Sequence, residues 1–292
     1  MYLILALIAS AGITIVKFLL PILLHILGLR YDPPIIRSLK IIGIEWLFFV
    51  FTFGIFFFIL NNIETDAIWG ITLIILFISV FTSFDFIFRP FLLRIQANLY
   101  EEEGLSNWLR DTWQLRLRVY SYQGELVNAF TTGAVPFSNT IILGQRLIDN
   151  MDDQSLKAIT LHEAGHLRLN HLFYLFMINI ICTSLFCLVL YNLFNMHITP
   201  EYFKIIILVV IAAISSSLIF NIIPGYLMKY FELQADRFSA QKIGGKIYKE
   251  ALMRMDVISE ERVSRGGFSH PTLEKRIENI MAKDGKKITG ER

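Results

Sequence analysis

His162, Glu163 and His166 stand together in the stretch "LHEAGHLRLN". Four residues apart, the two histidines fall on one face of a helix, one turn from each other, where two imidazole nitrogens can reach a single zinc ion. Glu163 lies about 100° around the helix from His162, close enough to address a water on that ion without binding the ion itself. Zinc lowers the pKa of such a water towards ~7, and a carboxylate beside it takes the proton as the oxygen attacks a peptide carbonyl. H-E-x-x-H is the signature of a zinc protease, and it calls for one Zn2+ per chain.

A catalytic zinc needs a third protein ligand. His171 is the near candidate, but five residues on from His166 a straight helix has turned it about 140° off the zinc face. The H-x-x-G-x-x-H extension of one zinc-protease clan would need glycine at 169 and histidine at 172, where this chain has Leu169 and Leu172. His171 therefore reads as an interfacial residue or one standing behind the ligands. Glu232, in "MKYFELQADRFSAQKIG", is the better candidate. Asp236 lies one turn further on the same helical face, where it can bond the free N–H of a ligand histidine and fix its tautomer.

Several elements must position these groups. "MDDQSLKAITLHEAGHLRL" reads as a helix, with Asp152 or Asp153 as its N-cap and Leu156, Ile159 and Leu167 recurring near helical spacing. Ahead of it, "LRLRVYSY" (115–122) alternates like a half-buried strand, "GELVNAFTTG" follows a short turn, and "NTIILG" is a third β-prone run. Residues 92–171 thus form a small α+β unit.

The rest of the chain is far more apolar. Of 292 residues, 54% are hydrophobic and 18% charged, with 25 Phe and 11 Tyr, and the mean hydropathy is +0.54. That excess over a soluble domain indicates an integral membrane protein. A net charge of +2 with no basic stripe excludes a nucleic-acid partner. Cys182 and Cys187 lie inside an apolar run and, five apart on a helix, point in different directions, as small packing residues would. Apolar segments at about 2–28, 41–60, 68–88, 172–194 and 203–228 are long enough to span, a crossing helix needing ~20 residues. The first lacks the positive n-region of a secretory signal and is read as retained, with Lys17 near its middle obliged to snorkel or face a protein partner. Ser215, Ser216 and Ser217 in the last can bond within a bundle.

Charge in the connections sets the orientation. Loop 29–40 carries Arg30, Arg37 and Lys40, the stretch after Arg89 and the tail after Lys229 are basic-rich, and 61–67 and 195–202 contain neither Lys nor Arg. The positive-inside rule places the basic parts together on the cytoplasmic side. Four parts follow: N-terminal spans (1–91), a cytoplasmic α+β part with the HEAGH helix (92–171), a transmembrane hairpin (172–228), and a cytoplasmic helical part carrying Glu232 (229–292). The fold class expected is mostly α: a polytopic membrane protein of about 4–5 transmembrane helices with a small cytoplasmic α+β zincin-like module. Glu232 follows His166 by 66 positions, yet the hairpin leaves and returns on one side. At ~1.5 Å per residue, His166 stands roughly 9 Å before it and Glu232 roughly 6 Å after it, so the hairpin can serve as the clamp between them.

"HEAGHLRLNH", "FELQADRFSA", "NAF" at 128–130 and "SHPTLEKRI" at 269–277, in that family's order, resemble the integral-membrane zinc endopeptidases that include HtpX and the CAAX prenyl proteases. The resemblance covers about 115–280. It implies His162, His166 and Glu232 as zinc ligands, Glu163 as general base and Asp236 as the partner of a ligand. It also implies that Asn128 and Ala129 lie on an edge strand to which a substrate peptide adds, and that His270 stabilises the oxyanion. CAAX proteases look larger, with seven spans around a chamber, and HtpX-type members usually show four. The architecture thus suggests quality control of membrane proteins, while "HLRLNH" is closer to the CAAX branch.

The expectation is a zinc-dependent endopeptidase of a prokaryotic plasma membrane, its module facing the cytoplasm, acting on membrane or membrane-proximal polypeptides. CAAX-type processing is the alternative. A sensor-transducer is disfavoured by outer loops of only about seven or eight residues. A transporter is disfavoured because charge concentrates in one module.

Overall fold

Asp152 begins the helix that carries the motif: its carboxylate accepts from the Ser155 backbone N–H at 2.9 Å and from the Ser155 hydroxyl at 2.8 Å, closing an N-terminus that would otherwise leave donors unpaired. The computed structural model describes residues 99–123, 127–195, 222–267 and 269–288, with scattered helical positions between 44 and 90. In chain order these form β1 (Leu99–Glu101), α1 (Glu103–Trp113), β2 (Val119–Tyr122), β3 (Ala129–Thr132), β4 (Thr140–Gly144), α2 (Gln145–Asn150) and α3 (Asp153–Arg168). They continue with α4 (His171–Asn195), α5 (Ile223–Ile243), α6 (Gly245–Ile258), α7 (Arg262–Arg265) and α8 (Leu273–Ile288). The fold is mostly helical with one small sheet.

That sheet has the order β1-β2-β4-β3, with β2 and β4 parallel and the two outer pairs antiparallel. The strand expected from 115 begins only at Val119, because β4 pairs from Val119 and β1 reaches back no further than Tyr120. Nor is it half-buried. Lying between two neighbours, β2 is buried at all four residues, and its sequence alternation does not report two different faces.

Helix α3 is the centre of the packing. From Ser155 to Leu167 every residue but Lys157 is buried. Leu161 and Ala164 of α3 share a core with Ile141 of β4, Leu109 of α1 and Leu252 of α6. Helix α5 lies directly on α3. A Cβ on Gly165 would come 3.1 Å from Phe238 Cδ1 and 3.3 Å from the Ala235 Cα, so the missing side chain is what allows this approach. The Ser239 hydroxyl ties the pair by donating to the Ala158 carbonyl at 2.7 Å. Helix α8 is fastened in turn to α5: the Asn279 side-chain amide donates to the Leu233 carbonyl at 2.9 Å. Among the described residues Glu232 is held to α3 by helix-on-helix packing near Gly165, whereas much of the hairpin expected to clamp them lies outside those residues.

At its C-terminus α3 stops at Arg168, and Asn170 takes a left-handed conformation with φ +57°, which asparagine tolerates better than most side chains. Helix α4 restarts at His171, and the His171–Phe186 part of it is bent 43° from α3. Among the described residues no single helix is long and apolar enough to cross a membrane; α3 with His171–Phe186 passes as a bent pair by length and composition. The expected span at 2–28, residues 203–221 of the one expected at 203–228, the loops 29–40 and 61–67, and 196–202 of the loop 195–202 lie outside the described residues, with Lys17 and Ser215–Ser217 among them. Of 41–60 and 68–88 scattered helical positions are described, together with one continuous π-helical stretch, Phe84–Phe88.

Candidate active site

On α3, His162 and His166 turn their Nε2 atoms towards each other, 3.3 Å apart. From α5, Glu232 completes a triangle, with Oε1 3.2 Å from His166 Nε2 and Oε2 3.5 Å from His162 Nε2. The three groups are buried and their ligand atoms lie within 4.8 Å of one another, a set able to hold a metal ion. Glu163 is buried on the same helix turn at 7% exposure.

Behind His162 stands a second layer of polar groups. Its Nδ1 lies 3.0 Å from Asp236 Oδ1 and 2.8 Å from the Tyr248 hydroxyl. A carboxylate can only accept, so Nδ1 carries a hydrogen, and Nε2 is the nitrogen turned towards the triangle. Tyr248, from α6, donates to Asp236 Oδ1 at 2.6 Å. Arg276, from α8, grips Asp236 with Nε at 2.9 Å and Nη2 at 2.6 Å. Burial alone would raise the Asp236 carboxyl, but Arg276, then His162, bring it down to about 2.

The field favours positive charge. Burial works against a charged His162, yet hydrogen bonds to Asp236 and Glu232 outweigh it and lift the imidazole to about 10. Glu232 stays well below the usual carboxylate range despite burial, because three histidines bond it. Glu163 goes the other way: burial raises it. Two imidazole Nε2 atoms and a carboxylate that meet in a cation-seeking pocket are the donor types zinc takes in catalytic sites, so the residues fit that ion.

The remaining expected residues fall around this cluster. His270 is 56% exposed, with Nδ1 3.2 Å from Glu232 Oε2. Asn128 and Ala129 lie at the start of β3, the edge strand beside α3. The Asn128 side chain accepts from the Ala129 backbone N–H at 3.0 Å. His171 is buried behind His166, their Nδ1 atoms 3.1 Å apart, where burial and His166 hold it down to about 4. Sequence reasoning missed Tyr248, Gln234 and the part Arg276 plays. Arg276 sat in a quoted motif without a role, and a tyrosine at helical spacing gives no signal apart from core packing.

Comparison with known proteins matches residues 112–284 to peptidase family M48. The protease HtpX of Actinobacillus pleuropneumoniae serotype 5b is 24% identical over 208 residues, 60% of this chain and 72% of that protein. Its counterpart in Haemophilus influenzae strain PittEE is 25% identical over 210 residues, 60% of this chain and 73% of that one. Among solved structures, Ste24p of S. mikatae superposes with a TM-score of 0.61 at 18% identity, a likeness of fold that covers 82% of this chain and 64%, under two thirds, of that one. The matched stretch takes in more than half of the chain and every residue of the cluster: the chain belongs to peptidase family M48 and is a metallopeptidase.

Proposed function

We propose that the protein is a zinc-dependent integral-membrane endopeptidase that hydrolyses peptide bonds of membrane or membrane-proximal polypeptides on the cytoplasmic side, in a quality-control role. The observation that carries the chemistry is the meeting of His162 Nε2, His166 Nε2 and the Glu232 carboxylate within 4.8 Å, with Glu163 on the same turn. His162, His166 and Glu232 would hold the ion, which when bound supplies Lewis acidity, acidifying a water and polarising the scissile carbonyl. Glu163 takes the proton from the attacking water and passes it to the leaving amine, a task that suits a carboxyl raised by burial. Asp236 keeps the His162 lone pair directed inward. His270, open to solvent beside Glu232, donates to the oxygen on which negative charge develops.

Strand β3 receives the substrate. Gly144 N–H donates to the Asn128 carbonyl at 2.8 Å, so alternation turns the backbone groups of Ala129 and Thr131 towards the edge that no strand pairs among the described residues. With the Ala129 N–H already taken by the Asn128 side chain, an incoming strand meets the Ala129 carbonyl and Thr131 first, and gains the remaining bond when Asn128 swings aside. The spanning segments and their orientation rest on the apolar runs and the distribution of Lys and Arg along the chain.

Metal content and cleavage of casein by the detergent-purified full chain test this function. Wild type and Glu163→Gln should each carry about one zinc, with cleavage in wild type alone. Turnover by Glu163→Gln would remove the role given to that residue, and absence of zinc from both would remove the metal site. A farnesylated C-terminal peptide offered beside casein, and cut in preference to it, would favour CAAX-type processing, towards which the "HLRLNH" flank points.

A further inference from the structure

On a straight helix His171 would point away from His166. The break at Asn170 and the 43° bend carry it back, so that its Nδ1 lies 3.1 Å from His166 Nδ1, on the opposite side of that ring from the metal-ligand triangle. On its far side His171 Nε2 lies 2.9 Å from the Gln234 side-chain oxygen. Its ring also stacks on Phe231, with centroids 4.3 Å apart and planes 7° from parallel. Phe231 and Gln234 are three apart on α5 and present one face. They flank Glu232, which belongs to the triangle. His171 is 1% exposed, so water does not compete for either nitrogen.

We propose that His171 is a positioning residue for His166, held by a Phe231–Gln234 clasp on α5 and fixing the tautomer in which the His166 Nε2 lone pair faces the metal. The order of hydrogens follows from the end of the chain of bonds. An amide oxygen only accepts, so His171 Nε2 carries a hydrogen and donates it to Gln234. His171 Nδ1 is then a lone pair, which accepts from His166 Nδ1–H, and His166 Nε2 is left free to bind. The two histidines of the triangle are therefore backed differently: His162 by a carboxylate locked to an arginine, His166 by an uncharged relay. The clasp also ties the start of α4 to the helix that supplies Glu232, so third ligand and relay move as one body.

This inference rests on the zinc function above, and the test separates the two. Zinc affinity is measured by competition with a chromogenic chelator on the detergent-purified full chain. His171→Phe keeps the stack on Phe231 and removes the acceptor; loss of such a partner should weaken zinc binding by about 10–100-fold. His171→Asn puts an amide oxygen near the Nδ1 position and should recover much of that loss. Gln234→Met should weaken binding as well, whereas Gln234→Glu, still an acceptor, should not. The double change His171→Phe with Gln234→Met should be no worse than His171→Phe alone, because both cut one chain of bonds. Wild-type affinity in His171→Phe, or in Gln234→Met if the first variant does not fold, would overturn the relay while leaving the zinc site standing. Equal loss in His171→Phe and His171→Asn would also overturn it, making the residue a packing element only. If wild type itself takes no zinc, function and relay fall together.

Discussion

Asp236 has no exposed surface and yet stays charged, because the Arg276 guanidinium meets it through two nitrogens while His162 and Tyr248 take the remaining reach of its Oδ1. Removing one partner of such a buried pair strands the other, at about 3–5 kcal/mol. Arg276→Met should therefore lower unfolding stability by that order and loosen zinc as well, since Asp236 would no longer hold His162 in one tautomer. Arg276→Lys, which keeps charge without the planar fork, should fall between. Denaturant melts with parallel metal analysis check this, and a melt unchanged in Arg276→Met would mean Asp236 is neutral in the fold. At this scale the grouping was legible: His162, Glu163 and His166 declare themselves by spacing, Glu232 with Asp236 by sharing a helical face, and the fold brings them together. The supporting layer was not. Arg276, Tyr248 and Gln234 come from three separate helices, and what selects each is its place after folding, which no local spacing records.

Between elements, the α3–α5 contact decides whether the triangle exists. Gly165 lies one residue before His166, and Ala235 one before Asp236, so this close approach of the two helices is beside the cluster. In Gly165→Ala the new methyl would press on Phe238 and on the α5 backbone. The strain, about 1–3 kcal/mol, is partly offset by the better helix propensity of alanine, about 1 kcal/mol. The melting temperature should hence fall only slightly, while zinc affinity drops more, because Glu232 rides on the displaced helix. Wild-type zinc affinity in this variant would show that the close approach does not set the ligand's position. Element prediction succeeded where a cap marked the boundary, as Asp152 marks α3. It failed where neighbours decide, as in β2, which starts at Val119 because its partners start there and is buried because it has one on each side. The turn at Asn170 was hidden for another reason: an asparagine between two helix-compatible runs does not announce a positive φ.

For the molecule as a whole, a metal held between α3 and α5 is a cross-link across the core. Anything that binds the folded chain and not the unfolded one stabilises it, by about 4 kcal/mol when free ligand stands a thousandfold above its dissociation constant. Chelation should thus lower the melting temperature of the wild type and leave Glu232→Gln almost unmoved. An equal drop in both would place the chelator's action away from the triangle. Helix content, the small sheet and the family were readable from composition and motif order. The route by which distant parts meet was less so, because the packing that joins α3 to α5 is set by a glycine and a serine, residues too common to stand out.

The order in which the parts occur along the chain has a consequence for how the protein comes into being. Ribosomes deliver His162, Glu163 and His166 well before Glu232, and Arg276 later still. A half-made chain therefore carries the motif but no third donor, and two imidazoles alone grip a metal loosely. Until α5 and α8 have emerged and docked, the growing polypeptide is without the machinery to cut its neighbours. The delay is written into the sequence as distance, and it ends when folding is complete.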